Sequence, residues 1–105
     1  MIVIKKVGNN KTDNLIQREL LDSFEFLQNS DSDYTKIKEI SPLISSIDLY
    51  SDTFIGEPQK EVYISEFKKL KDADIDPDFS LFCEQMILAL SGLEMPGEYI
   101  VFEGD

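Results

Sequence analysis

The chain has 105 residues, 42% of them hydrophobic, and a formal net charge of −11 with 10 Lys and Arg against 21 Asp and Glu. That length fits one domain, able to bury about 60% of the surface its unfolded chain exposes, and the apolar content separates it from disordered acidic chains. The charge disfavours binding to nucleic acid or to anionic membrane and favours a basic partner.

The opening MIVIKKV is short and β-branched, which predicts a strand, and GNNKTDN after it reads as a turn or loop. In TDNLIQRELLDSFEFLQNS the residues Leu15, Ile16, Leu20, Leu21, Phe24 and Leu27 recur at helical spacing, with Thr12 or Asp13 as N-cap. The polar NSDSD at 29–33 predicts a loop, followed by a short helix through Tyr34, Ile37 and Ile40. Ser41 before Pro42 reads as an N-cap with proline in the first helical position, so a second short helix begins there, with Leu43, Ile44, Ile47 and Tyr50 facing inward. Gly56 and Pro58 in SDTFIGEPQKEV mark a boundary, and QKEVYISEFKKLKDA predicts a helix with Tyr63, Phe67 and Leu70 inward.

Asp76 and Pro77 repeat the cap signal. The helix they open carries Phe79, Phe82, Cys83, Met86, Ile87 and Leu90 as far as Gly92, expected as a left-handed C-terminal cap with Leu93 packing behind it. Leu81, Leu88 and Ala89 extend its apolar surface round most of the circumference, which predicts the central helix of the core. LEMPGEYIVFEGD ends the chain with a Pro-Gly turn and a strand through Tyr99, Ile100, Val101 and Phe102. The expected fold is α+β and mostly helical: four or five helices in a single domain over 1–105, with a small sheet formed by the N- and C-terminal strands.

The lone Cys83 excludes an intrachain disulfide framework and reads as a small buried hydrophobe. No secretory signal and no run of 18 apolar residues is present, so a cytoplasmic location without membrane contact is expected.

The stretch DADIDPDFSLFCEQ, 72–85, raises three chemical readings. As an EF-hand loop starting at Asp72 it has Pro77 where glycine makes the turn and Cys83 where a bidentate glutamate is required; starting at Asp74 it has Phe79 and Gln85 there. A catalytic carboxylate pair needs a concave site that separates two pKa values, and this stretch lies beside a helix start in a chain with no histidine and no phosphate-binding glycine motif. Neither an enzyme nor a cofactor or metal site is expected. The third reading is a solvated helix start, where Asp74, Asp76 and Asp78 meet the positive end of the helix dipole.

That last reading leaves the distribution of charge unexplained. Residues 1–71 hold all 10 bases and 12 acids, while residues 72–105 hold 9 acids and no base. Natural surfaces mix both signs, and a basic partner offsets the self-repulsion of a single-sign field. The expected partner-binding residues are Asp72, Asp74, Asp76, Asp78, Glu94, Glu98 and Glu103, with Tyr99 as an apolar anchor; Tyr50, with Phe54 beside it, is a candidate second anchor, although each of these aromatics reads as core before contact.

In size, acidity, absence of catalytic groups and mainly helical layout with an acidic terminal third, the chain resembles the small acidic immunity proteins of bacterial toxin and contact-dependent growth-inhibition systems. The resemblance rests on general character along the chain, without a diagnostic motif. It implies a cytoplasmic antitoxin that blocks a cognate basic toxin, often a nuclease, by covering its active site or a nearby exosite. A phage-type inhibitor or nucleic-acid mimic would use the same acids, but eight lysines interrupt an extended acidic face over the first two thirds. A small structural or regulatory subunit with an apolar docking face is the third alternative.

Overall fold

The computed structural model describes residues 3–8, 11–14, 16, 18–28, 30–47 and 51–103. Strands β1 (Val3–Gly8) and β2 (Lys11–Asn14) are followed by helices α1 (Arg18–Gln28), α2 (Asp31–Ile40) and α3 (Pro42–Ser45). Strand β3 (Thr53–Gly56) and a 3-10 turn (Glu57–Gln59) lead into α4 (Lys60–Asp72), α5 (Pro77–Ser91) and β4 (Tyr99–Glu103). The fold is α+β and mostly helical, and the chain's first and last strands do pair.

The sheet is larger than the sequence predicts: four strands in the order β2-β1-β4-β3, all antiparallel. Thr12 and Asp13 lie in β2 opposite Val7 and Lys6, so neither caps α1, which starts at Arg18. The segment that Gly56 and Pro58 mark as a boundary supplies β3, whose Ile55 is buried opposite Ile100. Both strands are short and poor in apolar alternation; the ladder to a neighbour, not their own pattern, defines them.

Helix α2 begins at Asp31, inside the stretch read as a loop. Among the described side chains of α2, Ile37 alone is fully buried, so its polar first turn carries no apolar signal. The break at Ser41 is as expected: the buried Ser41 Oγ accepts the Ile44 N–H at 3.2 Å, with Pro42 opening α3. Ile44 and Ile47 are buried and Leu43 is half-buried, while Leu15 and Tyr50 lie outside the described residues. Asp76 repeats the device, its Oδ2 accepting the Phe79 N–H at 3.1 Å. Alanine at either cap is expected to cost about 1 kcal/mol in urea unfolding. Asn at position 76 should recover most of that loss, and an unchanged midpoint for Asp76→Ala would remove the cap's role.

The core is built around α5. Phe24, Phe67, Phe79, Phe82 and Phe102 are fully buried, joined by Ile4, Ile55 and Ile100 from the inner face of the sheet. Phe82 stacks on Phe24 with centroids 4.7 Å apart and meets Phe67 edge-on at 6.0 Å. Cys83 is buried in the same cluster, and desolvation pushes its thiol up to about 12 against the weaker opposing field of Lys71. A thiol held protonated there is a packing group rather than a nucleophile. Ile64, Phe67 and Leu70 are the buried residues of α4, with Tyr63 half-buried; Ile64 was not in the expected inward set.

Two features of α5 differ from expectation. Gly92 has φ −80 and is not left-handed; among the described residues the positive-φ positions are Asp74 at 52° and Gly97 at 92°. Leu81 and Leu88 are 49% and 68% exposed, so the apolar surface of α5 exceeds what the core covers. Among the described residues no helix is long and apolar enough to cross a membrane.

Candidate partner-binding surface

Chain order separates the expected acidic residues from every lysine, but the fold does not. Lys5 on β1 pairs with Glu103 at 3.0 Å, and Lys6, next along the strand, reaches Glu98 at 3.3 Å. Lys6 Nζ also donates to the Gly92 carbonyl at 3.0 Å, and Lys60 Nζ donates to the Leu93 carbonyl. Helix α5 has no base in its own last turn. Lysines from β1 and α4 therefore meet the carbonyls that follow it and supply positive charge near the negative end of its dipole.

Glu98 belongs to this internal network. Its Oε1 accepts the N–H groups of Glu94 at 3.0 Å and Met95 at 2.8 Å, while Oε2 faces Lys6. The side chain is only 10% exposed. The Met95 and Glu94 amides, with Lys6 adding to them against burial, hold its carboxyl below the ordinary 4.5. Such a group is engaged in the fold and is not a free contact, which corrects its place in the expected set. Glu103, paired with Lys5, is in part neutralised, and one oxygen of Asp76 is engaged as a cap.

The remaining acids fall into separate places. Asp72 ends α4, Asp74 takes the left-handed position after it, and Asp78 lies in the first turn of α5; all three are exposed, with no ion pair among the described residues. Lys69 and Lys71 occupy the last turn of α4, so this corner carries both signs. Glu94 is exposed beyond the far end of α5. With 15 residues at about 1.5 Å rise, α5 holds these two regions roughly 20 Å apart. They do not form one patch. Glu84, which the expected set omitted, projects from the outward side of α5 between them.

Tyr99 lies on the sheet face opposite the core. Strand alternation and the register Lys5, Val101, Phe54 place Tyr99, Val101 and Glu103 on that outer face with Lys5 and Phe54. The Tyr99 and Phe54 rings lie 5.8 Å apart, and Phe54 is 57% exposed. Phe54 thus stands beside Tyr99, although 45 positions separate them in the sequence, while Tyr50, the candidate second anchor, lies outside the described residues. Among the described residues no group of three or more Cys, Asp or Glu side chains is placed to hold a metal ion. Compared with protein-family models, curated proteins and solved structures, the chain matches none.

Proposed function

We propose that this chain is an immunity protein that binds a cognate basic toxin, a nuclease domain, and neutralises it by covering its active site or an exosite. The observation that carries the reading is the set of exposed carboxylates at Asp72, Asp74, Asp78, Glu84 and Glu94, which have no cation partner among the described residues, on a chain of net charge −11. Such charges accelerate encounter with a basic surface and are screened by salt. Their mechanism is steric and electrostatic: the chain binds as a folded body, and the toxin's substrate is excluded. A nucleic-acid mimic is less favoured, because the free carboxylates stand in regions separated by an apolar helix and interrupted by lysines.

The test is a tagged pull-down from nuclease-treated native host lysate over a salt series, followed by assay of the bound protein's toxic activity with and without the chain. One stoichiometric basic partner, released by salt and inhibited by the chain, supports the proposal; a bound partner whose activity is unchanged sinks it. Charge reversal should avoid Asp76, which caps α5. Asp72→Lys and Asp78→Lys combined with Asp74→Asn, which suits a left-handed position, are expected to slow association by about tenfold or more at low salt and flatten its salt dependence.

A further inference from the structure

Helix α5 buries Phe79, Phe82, Cys83, Met86 and Leu90 on one side. Its other side exposes Asp78, Leu81, Glu84 and Leu88, at steps of three, three and four residues, which align them in one stripe. A helix lying on a core ordinarily turns polar side chains outward. Here the two outward leucines are 49% and 68% exposed and do not belong to the core cluster. The charges within α5 are Asp78 and Glu84 alone, both negative. Lys71 of α4 exerts its field on Cys83, on the opposite side of the helix.

We infer that this stripe is a docking face for a basic partner protein. Leu81 and Leu88 enter an apolar recess, and Asp78 and Glu84 meet Lys or Arg on its rim. Interfaces draw their energy from such desolvated anchors, while rim charge sets the encounter rate and the choice of partner. A second copy of the chain has the same leucines but brings like charges together, −11 against −11, and places acidic stripes face to face. The aromatic pair on the outer sheet face lacks this charge pattern, because Lys5 lies on the same face, across Val101 from Phe54. That the basic partner is a toxin rests on the proposed function; the location of the face rests on α5 alone.

The probe is a synthetic amphipathic helical peptide of leucine and lysine, with a leucine and glutamate peptide as control, titrated into the isotopically labelled chain and followed by amide chemical shifts. The lysine peptide is expected to shift residues 78–91, with an affinity that falls as salt rises, and the glutamate peptide to shift none. Leu81→Ser with Leu88→Ser should weaken binding at least tenfold at an unchanged melting temperature. Leu88→Ser alone and Glu84→Lys should each show part of that loss. Shifts centred on Phe54 and Tyr99, equal binding by the double variant, or a sedimenting dimer that the double variant dissolves would each overturn the inference. A basic toxin retained equally by the chain and by the double variant removes this face but keeps the inhibitor reading. Peptide binding at α5 by a chain that inhibits no toxin keeps the face and removes that reading.

Discussion

Phe82→Ala is expected to lower the unfolding free energy by about 3–5 kcal/mol, the range for emptying a fully buried aromatic site. Phe82 is fully buried, stacks on Phe24 at 4.7 Å and Phe79 at 6.0 Å, and meets Phe67 edge-on at 6.0 Å. Removing it opens a void among α1, α4 and α5 together, lined by rings that cannot collapse into it without leaving their own contacts. A domain of this size has about 5–15 kcal/mol in all, so the variant should be partly unfolded near physiological temperature. Phe26→Ala is the contrast. Phe26 is 70% exposed, and its loss should stay within about 0.5 kcal/mol. Urea unfolding followed by far-ultraviolet circular dichroism measures both. A Phe82→Ala midpoint within error of the parent would mean that the aromatic cluster does not hold α5 in place.

The cluster was legible in the sequence because Phe79, Phe82, Cys83, Met86 and Leu90 keep one helical phase behind an Asp-Pro cap, a local pattern with a local cause. The termini were legible as strands for the same reason. Strands β2 and β3 were not: KTDN has no apolar alternation, and TFIG stands beside turn residues, so their conformation comes from pairing with β1 and β4. The limits of α5's burial were equally hidden, since periodicity shows which residues are apolar but not how many neighbours arrive to cover them. Chain order also misled the electrostatics. Lys6 lies 86 residues before the Gly92 carbonyl it meets, so the terminal third that carries no base of its own receives two from the first strand. The candidate contacts that survive are those without such long-range pairing, and Glu84 joins them from a position that local sequence presented as part of a core helix.

The turn between α5 and β4 yields the second large expected effect. Glu98 N–H donates to the Met95 carbonyl at 3.2 Å across Pro96 and Gly97, and Gly97 has φ 92, the arrangement of a type II turn. An added Cβ at Gly97 would meet no atom within 4 Å, so Gly97→Ala is strained by backbone conformation alone and is expected to cost about 1–2 kcal/mol. Glu98 holds the same turn from its other side, and its substitutions separate charge from hydrogen bonding. In Glu98→Gln the Oε1 atom can still accept the Glu94 and Met95 amides, but the charge facing Lys6 is gone; in Glu98→Ala both are lost. Stability at neutral pH should therefore fall in the order parent, Gln, Ala. Because the folded carboxyl titrates below its ordinary 4.5, the stabilisation is complete above that value and is lost as pH falls through the lower folded one. The gap between parent and Glu98→Gln should accordingly be widest at neutral pH and close in acid. A gap that persists unchanged in acid would show that the carboxylate's charge does not hold the turn.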